Sequence, residues 1–361
     1  LTGNGQNYLY PPLFVILLEP LVQTIARYPL SLIWYGFNVA VFIYTLRLTA
    51  QVFSSTYLRY LIWLMPVFFF PVFHAFWHGQ ITFLIYALLI GCWVAWQQKQ
   101  FQLAGGLLAI AAWLKVFPAF IVLWFIIRQQ WRVVSGVAIV GIALLGFQII
   151  TGGIAPMTTY FFDVLPQFSA EGQPASNHSS HAINSFAAKL FQDTPQIAPI
   201  VHNDTLYLVT RVVLTAIFVG SFGWAVAQPG SLNITRFNLE FALVLTLSRL
   251  LGSHMHNYDM VIWLLAFAVT LNIARIHPQR ERIALWSLLA FALITMGYPF
   301  VLGMDGATQS GMLYSTPFLG ASILWVIQIL LLIDLTRDQQ KQLNSLSVQS
   351  AEATTVSTGT V

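Results

Sequence analysis

The chain has 361 residues, of which 57% are hydrophobic and only 8% are charged. A soluble domain carries about 25% charged residues, so a water-facing surface is excluded, and a mean hydropathy of +0.73 points to a membrane protein. The net charge of +4 sits in short loops, where it reports orientation in a membrane and implies no nucleic-acid partner.

Taken in chain order, the sequence opens on Leu1 and the polar stretch "LTGNGQNYLYPP", which reads as the outer-side start of a chain lacking an N-terminal part. Residues 12–27 follow as a helix with both ends outside, lying at the interface. Apolar runs predict full spans near 30–47, 59–77, 81–97, 132–150, 206–227, 237–252, 258–274, 284–302 and 312–334. Each has roughly the length that crosses about 30 Å of hydrocarbon. Basic residues orient these spans: Arg128 with Arg132, and Arg275 with Arg280 and Arg282, mark cytoplasmic loops, while Arg337 and Lys341 mark a cytoplasmic C-terminus.

Residues 101–127 break the alternation, because both flanks, "QQKQ" and "RQQWR", read as cytoplasmic. Two half-helices meeting near Leu114–Pro118 restore it, since proline disfavours a continuous helix. Broken helices are tolerated in membranes where they line a protein cavity. The expected fold class is therefore all-α: a polytopic membrane bundle of about nine full spans plus a broken half-helix hairpin. Residues 1–337 form the integral-membrane domain, with a long polar outer stretch at 151–204, and residues 338–361 are a disordered cytoplasmic tail rich in Ser, Thr and Gln. The single cysteine, Cys92, lies in an apolar run and offers neither a disulfide nor a thiolate metal site; no cofactor is implied.

With this orientation the unusual polar groups gather on the outer side: His74, His78 and Gln80; Lys115 at the hairpin tip; Asn177, His178, Ser179 and His181; His254, His256, Tyr258 and Asp259; and Asp305. Their asymmetry suggests a site open to the outside. Lys115 interrupts "LLAIAAWLKVFPAF", where a charge at a helix centre costs roughly 2.5–3.5 kcal/mol. It reads either as a snorkelling lysine or as an ammonium that neutralises a lipid phosphate. Arg249 reads the same way, beside the alternative that it pairs with Asp259 or a backbone carbonyl; Glu240 reads as an interfacial residue. The stretch "SHMHNYD" concentrates His254, His256, Tyr258 and Asp259 between two apolar runs. Zinc would need a third or fourth ligand at defined geometry. Hydrogen bonding to a hydroxyl-rich substrate, or proton handling by imidazole, accounts for the cluster better.

These segments carry a resemblance. In order, "YLYPPLF", "HGQITFLIYALL", "LAGGLLAIAAWLKVFPAFIVLWFIIRQQWR", "SNHSSHAINSFAAKLF" and "SHMHNYDMVIWLL" cover most of the chain. Together they resemble glycosyltransferase family 87, integral-membrane mannosyltransferase-type enzymes of the GT-C fold. The resemblance implies transfer of mannose or another hexose from a polyprenyl-phosphate sugar to a glycan or glycolipid acceptor, on the outer face of a bacterial plasma membrane. It also implies a carboxylate base in a first outer loop, ahead of the "YPP" segment and so upstream of Leu1. On this reading Lys115 and Arg249 hold the donor phosphate. His254, His256 and Asp259 are catalytic, and Gln80, Asn177 and Tyr258 bind sugar or acceptor. A secondary transporter and a non-enzymatic lipid- or glycan-binding membrane protein are the alternatives.

Overall fold

The computed structural model describes residues 10–166, 180–193, 199–252, 255–302 and 315–358. Regular structure among them is helical, apart from an isolated bridge between Ser180 and His256. The first half of the chain forms α1 (Pro12–Thr24), α2 (Arg27–Val52), α3 (Thr56–Phe68), α4 (Phe70–Trp77), α5 (Thr82–Gln97), α6 (Phe101–Leu114), α7 (Ala119–Ile127) and α8 (Trp131–Gly152). A short α9 (Ala155–Thr158) continues into a π-helical turn. Then follow α10 (Ile183–Phe191), α11 (Asp204–Ala227), α12 (Ile234–Leu250), α13 (Trp263–Ala274, entered through a 3-10 turn over Asn257–Ile262), α14 (Arg280–Leu302) and α15 (Thr316–Thr358).

Among the described residues, five helical stretches are long and apolar enough to cross a membrane, or six if the bent pair α3–α4 counts as one span. Nine full spans were expected, and three of these, at 59–77, 81–97 and 237–252, do not form a single helix of that length. The span at 59–77 is two helices bent by 57°. Phe69 is the joint, between Pro66 at the end of α3 and Pro71 in the first turn of α4, where missing N–H groups break the ladder. The span at 81–97 is a helix of 16 residues. The span at 237–252 is a helix of 17 residues that carries Arg236, Glu240 and Arg249, all buried. At the C-terminal end α15 runs to Thr358. Gln, Leu and Lys are good helix formers, and Asp334 with Arg337 and Asp338 with Lys341 lie one turn apart on this helix.

The break in 101–127 falls where the sequence places it, at Lys115–Pro118 between α6 and α7. The chain turns back there. Phe101 at the start of α6 meets Trp96, whose ring stacks on Phe237 of α12; Trp124 of α7 also lies against Phe237. Both outer ends of the hairpin therefore share one end of the bundle, and Lys115 marks the other. α6 lies backbone-to-backbone on α8: a β-carbon on Gly105 would strike the Val133 carbonyl, and one on Gly136 would strike that of Gln102. Small residues let membrane helices approach this closely.

The core is built around α12 and α13. Every residue of α12 from Phe237 to Leu250 apart from Asn238 is buried, and the segment Asn257–Ala274 is 83% buried against 11% for α11. A helix that is apolar all round belongs inside other helices. The chain thus places α12 centrally, with an arginine near each end, while α8 and α11 turn apolar faces outward.

Candidate active site

The break after Leu114 frees the Lys115 side chain from the helical direction: its backbone is extended, at φ −154° and ψ 131°. The ammonium ion-pairs with Asp259, at the entry to α13. Arg249, in the last turn of α12, takes the other carboxylate oxygen at 2.7 Å. The His256 amide donates to the same oxygen at 3.3 Å, and Thr82 Oγ1, at the start of α5, lies 3.5 Å from the first. Two helix ends and two helix starts thus converge on one carboxylate. The guanidinium of Arg249 also rests 4.2 Å over the Phe117 ring, a cation–π contact supplied by the break itself.

Exposure separates the two cations. The Lys115 side chain is 18% exposed, whereas Arg249 is 2% and Asp259 3% exposed. With two cations on one carboxylate the cluster carries one net positive charge, and Lys115 is where that charge meets open space. Aromatic rings frame it: Tyr10 at 5.5 Å and Tyr258 at 5.4 Å from the ammonium. The Tyr10 hydroxyl donates to the Gln80 side-chain carbonyl. Gly79, at φ +57°, makes the turn before Gln80 and offers its carbonyl to Trp34 Nε1 at 2.7 Å. Opposite, His74 and His256 both stack on Tyr258, with centroids 5.7 and 5.0 Å away, and exposed His78 lies 5.9 Å from the same ring. A cation, amide and hydroxyl groups, and flat imidazole and phenol faces suit an anionic, hydroxyl-bearing ligand.

The family model for glycosyltransferase family 87 matches residues 8–253. The chain belongs to glycosyltransferase family 87. No curated protein and no solved structure matches it. A family 87 member with several membrane-length apolar helices is an integral-membrane glycosyltransferase. The matched stretch includes Tyr10, Gln80, Lys115 and Arg249 and stops short of His256, Tyr258 and Asp259, which the fold brings to the same place.

In this glycosyltransferase the expected site residues Gln80, Lys115, Arg249, His256, Tyr258 and Asp259 form one cluster. His254 and Asn177 lie outside the described residues. Arg249 pairs with Asp259, one of the alternatives open at the sequence level. Tyr10, Thr82 and Phe117 were not singled out. Tyr10 stands in "YLYPPLF" and Thr82 in "HGQITFLIYALL", segments that carried part of the resemblance, and Phe117 in "KVFP", so position offered a signal for each.

A strap from the long polar segment steadies the His256 side. Ser180 bridges to His256, the His181 amide donates to the Met255 carbonyl at 2.9 Å, and the Met255 amide donates to Ser180 Oγ at 3.3 Å. Behind it, Lys189 of α10 is fully buried and donates to the Ser180 carbonyl at 2.6 Å. Burial pulls its ammonium down to about 7.

At the opposite end of α12 a second charged cluster closes the bundle. Glu240 is buried, not interfacial as its sequence position suggested. It accepts from Arg236 at 2.7 Å, from Trp124 Nε1 at 3.0 Å, and from both ends of the Arg128 guanidinium fork. Arg236 spends its remaining donors on the carbonyls of Gln228 and Pro229. This cluster ties α7 to α12 and so sets the height at which Lys115 stands.

Proposed function

We propose that this membrane glycosyltransferase moves a hexose, with mannose the favoured case, from a polyprenyl-phosphate sugar to a glycan or glycolipid acceptor on the extracytoplasmic face, in a GT-C-type bundle. The observation that carries the reading is Lys115: a partly exposed ammonium, fixed by a buried Asp259–Arg249 pair, at the tip of a broken helix in an apolar bundle. A lipid-linked donor would bring its phosphate to such a point from within the membrane.

In the transfer, the bond between the anomeric carbon and the phosphate oxygen breaks as the acceptor oxygen bonds to that carbon. The leaving phosphate gains charge, and Lys115 stabilises it; such stabilisation of developing charge is a large catalytic contribution. The acceptor proton passes to a base. Asp259 is poorly suited, because both of its oxygens are already engaged by cations, so its part is to hold Lys115 and Arg249 in place. His256, half-buried and stacked on Tyr258, is the proton acceptor we assign among the described residues. Gln80 and Tyr258 hold sugar hydroxyls, with Asn177 in the same role and His254 a second catalytic imidazole by their place in the sequence.

The test is transfer from radiolabelled polyprenyl-phosphate mannose into a lipid or glycan fraction, using the protein in proteoliposomes. Lys115→Ala should lower turnover by about 100-fold or more, on the scale seen when one charge-stabilising group is removed. Lys115→Arg should recover part of it, because charge persists while geometry changes. Transfer by Lys115→Ala at the wild-type rate would refute the reading.

A further inference from the structure

Away from this site, α3 and α14 stand apart over α13. Their facing stripes, Leu58, Leu61, Met65 and Phe68 on one and Ala284, Ser287, Leu288 and Phe291 on the other, line a cavity of about 540 Å³ whose floor is Phe267, Leu271 and Ala274. Both stripes repeat at three and four residues, the spacing of a helix face built for burial. The groove runs from Arg280 to Phe291 along α14, about 16 Å at 1.5 Å per residue. One end is closed by aromatics, with Phe69 stacked on Phe291 at 5.0 Å and Phe267 edge-on at 5.5 Å. The other end carries Arg275, Arg280 and Glu281.

These three residues also line a second, polar recess formed by the turn Arg275–Arg282. The apolar groove and the polar recess therefore adjoin along Arg275, Arg280 and Glu281. Both arginines are exposed, and neither has a carboxylate within 4 Å among the described residues. His277 of the same turn pairs instead with Asp334, at 3.3 Å. Ser287, 2% exposed, has a hydroxyl with no hydrogen-bond partner in the groove wall. A buried hydroxyl left without a partner is unfavourable, and a ligand acceptor would relieve it.

We propose that this continuous cleft binds one acidic diacyl phospholipid. The acyl chain lies along the groove, an ester carbonyl accepts from Ser287, and the phosphate and acidic head group meet Arg275 and Arg280 in the recess. Three arginines in the recess, Arg275, Arg280 and Arg282, against one Glu281 select an anionic head group over a zwitterionic one, and the two that also line the groove, Arg275 and Arg280, carry most of that preference. The site is separate from the Lys115 cluster, being at the far end of α13 from Asp259, and it does not depend on which sugar is transferred.

The experiment is native mass spectrometry of the full chain released from detergent, titrated with phosphatidylglycerol, phosphatidylcholine or a polyprenyl phosphate. Phosphatidylglycerol should be retained about tenfold or more over phosphatidylcholine, as two juxtamembrane arginines would give. The double variant Arg275→Gln/Arg280→Gln should lose that preference and keep weak binding of both lipids. Ser287→Phe, which fills the groove and leaves the arginines, should lose tight binding of phosphatidylglycerol. Arg132→Gln, an exposed arginine elsewhere on the bundle, should change nothing. Equal retention of the two phospholipids would overturn the proposal. So would a preference that survives the double variant, a preference that Arg132→Gln also abolishes, or tighter retention of the polyprenyl phosphate at this cleft.

Discussion

One carboxylate answers two cations at the centre of the site. Asp259 is 3% exposed and holds both Lys115 and Arg249. Removing one partner of a buried ion pair costs about 3–5 kcal/mol, because the other charge is left without compensation. Asp259→Asn should therefore lower stability by about that amount, read as a fall in the unfolding midpoint in detergent. A midpoint equal to wild type would mean Arg249 is held by other groups. Lys189 shows a different balance. Burial lowers its ammonium from 10.5 to about 7 in the folded chain. Between these values the unfolded chain binds a proton that the folded chain does not, so stability rises with pH across the window and is lost as pH falls through about 7. Lys189→Met should flatten that rise, measured as the wild-type-minus-variant difference in midpoint at pH 7 and pH 9.5. A difference that does not change with pH would mean the buried lysine does not set the pH dependence.

At the scale of elements, α6, α7 and α12 set the site. α7 has 9 residues and rises about 13 Å, which matches the nine positions between Glu240 and Arg249 on α12. The hairpin is thus pinned at one end by Arg128 and Trp124 on Glu240, and at the other by Lys115 on Asp259. Its outer wall is the contact of α6 with α8 through Gly105 and Gly136. Gly136→Leu should separate these helices, with a loss beyond the 1–3 kcal/mol or so of ordinary overpacking, since the obstacle is backbone. Gly146→Ala, with nothing within 4 Å of the new β-carbon, is the control and should keep or slightly raise the midpoint. If both variants unfold alike, the tight crossing is not what holds α6.

For the whole molecule, the two ends of the bundle differ in kind. Lys115, Asp259 and the Ser180–His256 strap gather at one end, and Arg128, Arg236, Arg275 and Arg280 at the other. Excess arginine belongs on the cytoplasmic side, which faces the proposed sugar-transfer site outward in the proposed orientation. In a Cys92→Ala background, a cysteine at exposed His202 should react with an impermeant maleimide in intact cells. One at exposed Gln279 should react only after permeabilisation. The reversed pattern would place the site in the cytoplasm and remove the extracytoplasmic acceptor from the proposal.

Composition, hydropathy and charge placement by themselves determined that this is a helical membrane protein, because too few polar residues exist to cover any other surface. They also located the break at Lys115–Pro118, since proline interrupts the helical ladder and a lysine in an apolar run needs a polar place to go. Five short segments were enough to suggest the family. Span number was not legible, because local hydropathy does not register the bend at Phe69. Nor could a linear sequence say that Glu240 is buried among two arginines, or that Asp259 is shared by Lys115 and Arg249. Those residues are separated by up to 144 positions, and only the packing of α7, α12 and α13 brings their charges within reach. Whether a charged side chain in hydrocarbon is a liability or part of a site depends on that partner, and the partner is a property of the tertiary structure.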